Sequence, residues 1–279
     1  MVVTLPGGYV DQHGNVHNDA ELLPLTGRDE EFLCTLPVGA PIAPVVTGLL
    51  GRCVRRLGSL PEFTEDVARN LLVGDREYLV MKLFEITSGS TLNILLRCPG
   101  EDCRQPMDVT LSLGEMTPES RAIASQYFRV RVPSQPEIEI EFRLPTGTDQ
   151  EAMVGIVDES RAVSALLARC TGLDEAEIDA LPASTRREIE DRMEELAPQV
   201  NIEINTTCPE CGRRFTGETG WAAYCLGQMV GQSAVLEREI HLLAWHYHWS
   251  EADVLAMTRS KRRRYVALIE EELGHAAGA

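Results

Sequence analysis

Two cysteine pairs, set roughly a hundred residues apart, constrain this chain more than any other feature. "RCPGEDC" carries Cys98-x4-Cys103, and "TTCPECG" carries Cys208-x2-Cys211. Each pair lies in a loop between two short β-prone runs: Leu92–Leu96 and Met107–Leu113 for the first, and "VNIEIN" entering the second. A tight Cys-Pro-x-Cys turn puts two thiolates on one side of a metal, and a second turn can fill the other side of a zinc tetrahedron. Gly212 follows the second pair, where the departing chain needs a positive φ that costs glycine nothing. The spacing therefore predicts a structural zinc held by Cys98, Cys103, Cys208 and Cys211, with the intervening residues as an insertion between two knuckles. Such a length is tolerated because loop-closure entropy grows only logarithmically.

Other readings of the sulfur compete with this one. A thioredoxin-like redox pair opens a helix after a buried strand, but "GRRFTGETG" after Cys211 is a poor helix start. Cys225 could replace one ligand. Cys34, Cys53 and Cys170 lie among apolar residues in predicted helices and read as small buried hydrophobes. Eight cysteines would suit a disulfide framework in a short secreted domain, whereas this chain of 279 residues has no signal-like start and can bury its own core.

Four thiolates around one ion leave no position for water or substrate, which argues against an enzyme. No HExxH, GxSxG, Walker loop or GxGxxG occurs, and the H-x-E that a deaminase pairs with its PCxxC is absent. The net charge is −17, and aromatics make up 5% of the chain, so nucleic acid and anionic lipid are disfavoured partners. No apolar run approaches the ~20 residues of a membrane span, so the expected location is cytoplasmic.

The fold expected is α+β, mainly helical, with a small zinc-ribbon-like β element built from the two separated knuckles. Its segments are an N-terminal arm and short helix (1–40), a helical segment (41–89), the first knuckle with a small sheet (90–147), a helical insertion (148–198), the second knuckle (199–219) and a C-terminal helical segment (220–279). Residues 1–24 read as a Gly/Pro-containing lead-in before a short helix from about Arg28, with Thr26 ahead of an acidic first turn. Breaks are expected at Gly58–Pro61 and at Gly74. "EIEIEF" alternates Ile138, Ile140 and Phe142 against glutamates, as a half-exposed strand does. Further along, Gly172 supplies a helix stop, Ser184 opens another helix, and Ser250 with Asp253 forms a capping box.

In the last segment, His241, His246 and His248 are not spaced to share one helical face, so a metal role is not inferred for them. Arg259, Lys261, Arg262, Arg263 and Arg264 begin the final helix and Glu270–Glu272 end it, the reverse of what the helix dipole favours. Docking onto an acidic partner surface by these residues with Trp249 and Tyr265 is one explanation; a solvated basic face paired with this chain's own acids is the other.

Taken in order, "LPGGYVDQHGNVHNDAELLPLTGRDEEFL", "LLVGDREYLVMKL", "TCPECGRRF" and "LEREIHLLAWHYHWSEADVLAMTRSKRRRYVALIEEEL" resemble bacterial proteins related to the T-even phage baseplate hub-assembly family. Relatives of that family occur in clusters for contractile phage tails and tail-like injection systems. The resemblance implies a non-enzymatic assembly factor or minor baseplate component that engages hub, tube or tape-measure proteins, in the cytoplasm or incorporated in the assembled tail particle. It also matches Cys98, Cys103, Cys208 and Cys211 to the family's knuckles, with a longer first spacer. The alternative is a zinc-ribbon adaptor for another protein or for nucleic acid.

Overall fold

The computed structural model describes residues 1–115, 126–132, 135–198, 204–217 and 220–277. It is an α+β fold, about half helical. The chain opens on strands β1 (Val2–Val10) and β2 (Val16–Leu22), followed by helices α1 (Gly27–Cys34) and α2 (Ile42–Cys53), then β3 (Val54–Leu57). The order β1-β2-β3 is an antiparallel sheet. The predicted lead-in is thus a hairpin: Val3, Leu5, Ala20 and Leu22 are buried, and glycines and a proline inside β1 had hidden its alternation. A break in register between Thr4 and Tyr9 accommodates them.

Helices α3 (Glu65–Asn70) and α4 (Val73–Ser88) follow. Gly74 does not break α4 but lies in its first turn, where Pro198 packs so closely that a Cβ would fall 1.8 Å from its carbonyl oxygen. Residues Gly74–Phe84 of α4 are buried almost all round, including Leu79, Val80 and Leu83, as expected of a helix running through a core. Asp75 is buried with them and accepts the Gly7 and Gly8 N–H groups at 2.8 and 2.9 Å, tying β1 to the helix start.

Two hairpins come next, β4 (Thr91–Arg97) with β5 (Pro106–Ser112) and β6 (Phe128–Val132) with β7 (Gln135–Phe142). Ile140 and Phe142 point inward as predicted; the Ile138 side chain lies outside the described residues. Helices α5 (Gly147–Ala152), α6 (Glu159–Thr171), α7 (Glu175–Ala180) and α8 (Ala183–Leu196) form the insertion. Gly172 does close α6 in the left-handed conformation. Ser184, however, sits within the first turn of α8, and Pro182 is the N-cap. This part has its own core around Phe142, Leu167, Ile178 and Ile189.

The chain returns through β8 (Ile204–Thr207) and β9 (Arg214–Gly217); the strand start expected at Val200 lies outside the described residues. Helix α9 (Trp221–Ser233) joins the main core beside α4, and α10 (Leu236–Tyr247), α11 (Glu251–Leu255) and α12 (Arg259–Ala277) complete the chain. Ser250 and Asp253 make the predicted capping box. Among the described residues, no helix is long and apolar enough to cross a membrane.

Two short segments stitch distant parts together. Thr26 forms an isolated β-bridge with Thr258, and Thr146 forms one with Leu72. In each, the following glycine donates its N–H to a carbonyl just ahead of a long helix: Gly27 to Met257 at 3.0 Å, and Gly147 to Leu71 at 3.1 Å.

Candidate metal centre and terminal clamp

The β4–β5 and β8–β9 hairpins bring their turns face to face. Ladder pairing runs from Thr91↔Ser112 to Arg97↔Pro106 in one and from Ile204↔Gly217 to Thr207↔Arg214 in the other. Each turn is then closed by the same bond: Cys98 N–H donates to Gln105 O at 3.0 Å, and Cys208 N–H to Arg213 O at 2.9 Å. Each leaves through a left-handed residue directly after its second cysteine, Arg104 at φ 49° and Gly212 at φ 71°. The two knuckles are thus the same device despite their unequal spacers. The extra residues of the first are absorbed by a turn in which Cys103 and Arg104 both donate to Gly100 O.

As a result the sulfurs of Cys98, Cys103, Cys208 and Cys211 lie within 4.8 Å of one another. Cys98 and Cys211 are 3.6 Å apart, and Cys103 and Cys208 3.8 Å. A tetrahedral ion with Zn–S bonds of about 2.3 Å needs sulfur–sulfur edges of about 3.8 Å, whereas a disulfide needs about 2.05 Å. The donor set therefore fits a soft tetrahedral metal. The Gly100 N–H approaches the Cys98 sulfur at 3.4 Å, and the N–H groups of Cys211 and then Glu210 hold the Cys208 thiol down at about 7, while, against the Gln105 N–H, burial and the crowding sulfurs push Cys103 up to about 12. Such donors favour thiolates.

The remaining cysteines are elsewhere. Cys225 lies in the main core with its thiol pushed up to about 12 by burial, and Cys170 is raised to about 12, chiefly by burial, in the insertion. Cys53 is buried too. Cys34 departs from the expectation: it is exposed, and its thiol donates to Ser233 O. The C-terminal end of α1 simply reaches the surface there.

The partner-facing residues predicted on the last segment divide into two groups. Lys261, Arg263 and Arg264 are exposed. Arg259 and Arg262 are buried at 2% and 0% exposure, so they are not available to a partner. Arg262 grips both Glu30 carboxylate oxygens at 2.8 Å through Nη2 and reaches Glu239 at 2.9 Å through Nε. Arg259 lies 3.1 Å from the same Glu30. Their placement at a helix N-terminus, unfavourable for the dipole, is explained by these acids. Trp249 stacks on Tyr247 at 4.7 Å and meets Tyr265 edge-on at 4.9 Å, closing the α10–α11 turn over α12. The three histidines do not converge: His248 caps α10 in the left-handed conformation, and His241 stacks on Trp245.

Sequence reasoning missed Glu30, Arg76 and Gln150. Arg76 is as buried as Arg262, and its Nε donates to Gln150 while Nη1 and Nη2 donate to the Ala68 and Ala43 carbonyls. The signal was present in the repeated "LTGRDEE" and "PTGTDQE", whose fifth residue of each Thr-to-Glu run faces an arginine four residues beyond the bridge.

Neither the curated proteins nor the solved structures include a match to this chain. Residues 44–172, just under half of the chain, match the family model described as T4 bacteriophage base plate protein. The match runs from α2 to the end of α6 and includes the first knuckle but not the second. Over that stretch the chain is similar to T4-type phage baseplate proteins, the family that its ordered motifs resemble.

Proposed function

We propose that this protein is a non-enzymatic assembly factor or minor structural component of a contractile, phage-tail-like baseplate, stabilised by one structural zinc in a ribbon assembled from the β4–β5 and β8–β9 hairpins. The baseplate family match carries the reading. The partners it implies are hub, tube or tape-measure proteins, met in the cytoplasm or in the assembled tail. Cys98, Cys103, Cys208 and Cys211 would hold the ion, which supplies no chemistry beyond cross-linking: four thiolates occupy every position of a tetrahedron. Its contribution is to fix the two ends of the insertion beside α9, whose Tyr224 hydroxyl donates to Asn93 O on β4 at 2.5 Å.

Deleting the gene and imaging the particles tests the role. Missing or unsheathed baseplates are expected, and normal, infective or injecting particles would reject it. Mass spectrometry of purified wild-type particles then separates a retained part from a factor that leaves. Metal analysis should find about one zinc per chain, lost with Cys208→Ser and Cys211→Ser together and accompanied by a fall in melting temperature. A metal-free protein of unchanged stability would reject the zinc.

A further inference from the structure

The segments "TEDVARNLLVGDR" (64–76), "DEAEIDALPASTR" (174–186) and "SEADVLAMTRSKR" (250–262) are three copies of one unit: a capped short helix, an extended turn and the first turn of a long helix ending on arginine. Equivalent positions share their burial. Ala68, Ile178 and Val254 are each 0% exposed, and Leu83, Met193 and Ile269, two turns beyond the arginine, are also buried. The turns superimpose in backbone angles where both are defined. Leu71 and Leu181 have φ, ψ of −67°, 146° and −65°, 144°, and Leu72 and Pro182 have −60°, 149° and −54°, 142°.

Two of the copies are filled by a Thr-Gly segment of this chain. Thr146-Gly147 bridges the first, with Gly147 N–H donating to Leu71 O, Val73 N–H donating to Pro145 O at 3.2 Å, and Arg76 receiving Gln150. Thr26-Gly27 bridges the third through the Gly27 N–H to Met257 O, and Arg262 receives Glu30. The glycine is required in both. A Cβ on Gly147 would stand 2.3 Å from Arg76 Nη1, and one on Gly27 would stand 2.8 Å from the Leu255 Cα.

The middle copy is empty among the described residues. Pro182, Ala183 and Ser184 are exposed where Leu72 and Val73 are half-buried and Gly74 is buried, and Arg186 keeps about a third of its side chain in water, with Asp179 no nearer than 3.9 Å. Among the described residues nothing bonds to Leu181 O or to the Ala183 N–H, the groups that correspond to Leu71 O and Val73 N–H. Pro182 does no harm, since the matching Leu72 N–H takes no part in the bridge. We propose that the α7–α8 turn is a preformed docking site for a Thr-Gly-x-Asp-Gln/Glu segment of another protein, which would add a β-bridge between Leu181 and Ala183 and place its amide or carboxylate on Arg186. A partner chain is the occupant because, of the three Thr-Gly-x-Asp-Gln/Glu segments of this chain, Thr26-Gly27 and Thr146-Gly147 are engaged with their glycines buried, and Thr171-Gly172-Leu173-Asp174-Glu175 runs into the middle copy itself, Gly172 closing α6 and Asp174 capping α7. This inference stands apart from the baseplate reading and from the metal.

The probe is a synthetic peptide of residues 141–153, "EFRLPTGTDQEAM", titrated into the isotope-labelled full chain up to about 2 mM and followed by NMR. The protein's own segments, being tethered, outcompete it at the filled copies, so saturable shifts are expected around 181–186. Ala183→Pro removes only the bridging donor, since proline is tolerated at the first helical position and Pro182 already has the extended conformation that precedes a proline. It should weaken binding about ten-fold or more, as should Arg186→Ala and a peptide with alanine for Gly147. Shifts confined to 71–76 or 257–262, equal binding by Ala183→Pro, or no binding at 2 mM would overturn the proposal. Concentration-dependent self-association abolished by Ala183→Pro would replace the partner by a second copy and overturn the assignment as stated.

Discussion

The two filled clamps have the same backbone and opposite electrostatics. At the C-terminal clamp the buried Arg259 and Arg262 guanidinium groups meet the acidic side chains of Glu30 and Glu239. At the clamp of Thr146-Gly147 on the first copy, here the central clamp, Arg76's hydrogen-bond partners are neutral, namely two carbonyls, the Thr47 hydroxyl at 3.1 Å and the Gln150 amide, with the Glu151 carboxylate beyond Thr47. Burial among them pulls the Arg76 guanidinium down to about 10. The comparison shows that one geometric solution, a Thr-Gly bridge with a side chain on an arginine, can be run on charge pairing or on hydrogen bonding. Removing a partner has different consequences in the two cases.

Glu30→Ala should have the largest effect. It removes the carboxylate that buried Arg259 pairs with and leaves buried Arg262 with Glu239, a loss of about 3–5 kcal/mol. Gln150→Ala removes one of several neutral acceptors from Arg76, and about 1–2 kcal/mol is expected. Urea denaturation of both variants measures the difference, and equal costs would mean that charge contributes nothing special at the C-terminal clamp. Glu30→Gln, which makes that clamp resemble the central one, should fall between them.

How much of this was legible in the residues varies with the range of the interaction. The knuckles, the capping box at Ser250 and the inward face of β7 depend on neighbours in sequence, and spacing alone identified them. The first hairpin was missed because "LPGGY" interrupts the alternation that marks a strand, and Asp75 supplies the acceptors that hold those glycines. Arg259 and Arg262 were misjudged as surface because their partner Glu30 lies more than two hundred residues earlier. A charge run read locally looks solvated.

The acid response separates the clamps next. In the central clamp the capping aspartate, Asp149, is fully buried and held by Arg143 at 2.6 Å and Arg169 at 2.9 Å. Burial acts to raise its pKa, but Arg143, the Thr146 N–H and Arg169 outweigh it and hold the carboxyl at about 2. A folded-state value below the unfolded 3.8 contributes stability that is present above about pH 4 and lost as pH falls toward 2. The shift corresponds to roughly 2 kcal/mol. Asp75 works in the opposite sense, because burial raises it to about 6 and its contribution weakens as pH rises from about 4 to 6. The difference in stability between wild type and Asp149→Asn, followed from pH 6 to pH 2, isolates the first effect. It should shrink below pH 4, and a flat difference would show that the two arginines do not hold the carboxylate.

The smallest contrast concerns the threonines. Thr26 donates through its N–H and hydroxyl to Asp29 Oδ2 at 2.9 and 2.7 Å, and Thr146 does the same to Asp149 at 2.9 and 3.1 Å. Replacing either by alanine removes the hydroxyl and leaves the backbone donor. The consequence depends on what else orients the aspartate. Asp149 keeps both arginines, so its carboxylate stays in place and about 0.5 kcal/mol is expected for Thr146→Ala, the low end for a cap. Among the described residues Asp29 has no side-chain donor other than Thr26, so Thr26→Ala should free it to rotate into solvent and cost about 1 kcal/mol. Thermal melts of the two variants read the order. A larger loss at Thr146 would mean that the arginines depend on the threonine to hold Asp149 rather than the reverse, making the central clamp one cooperative network instead of independent contacts.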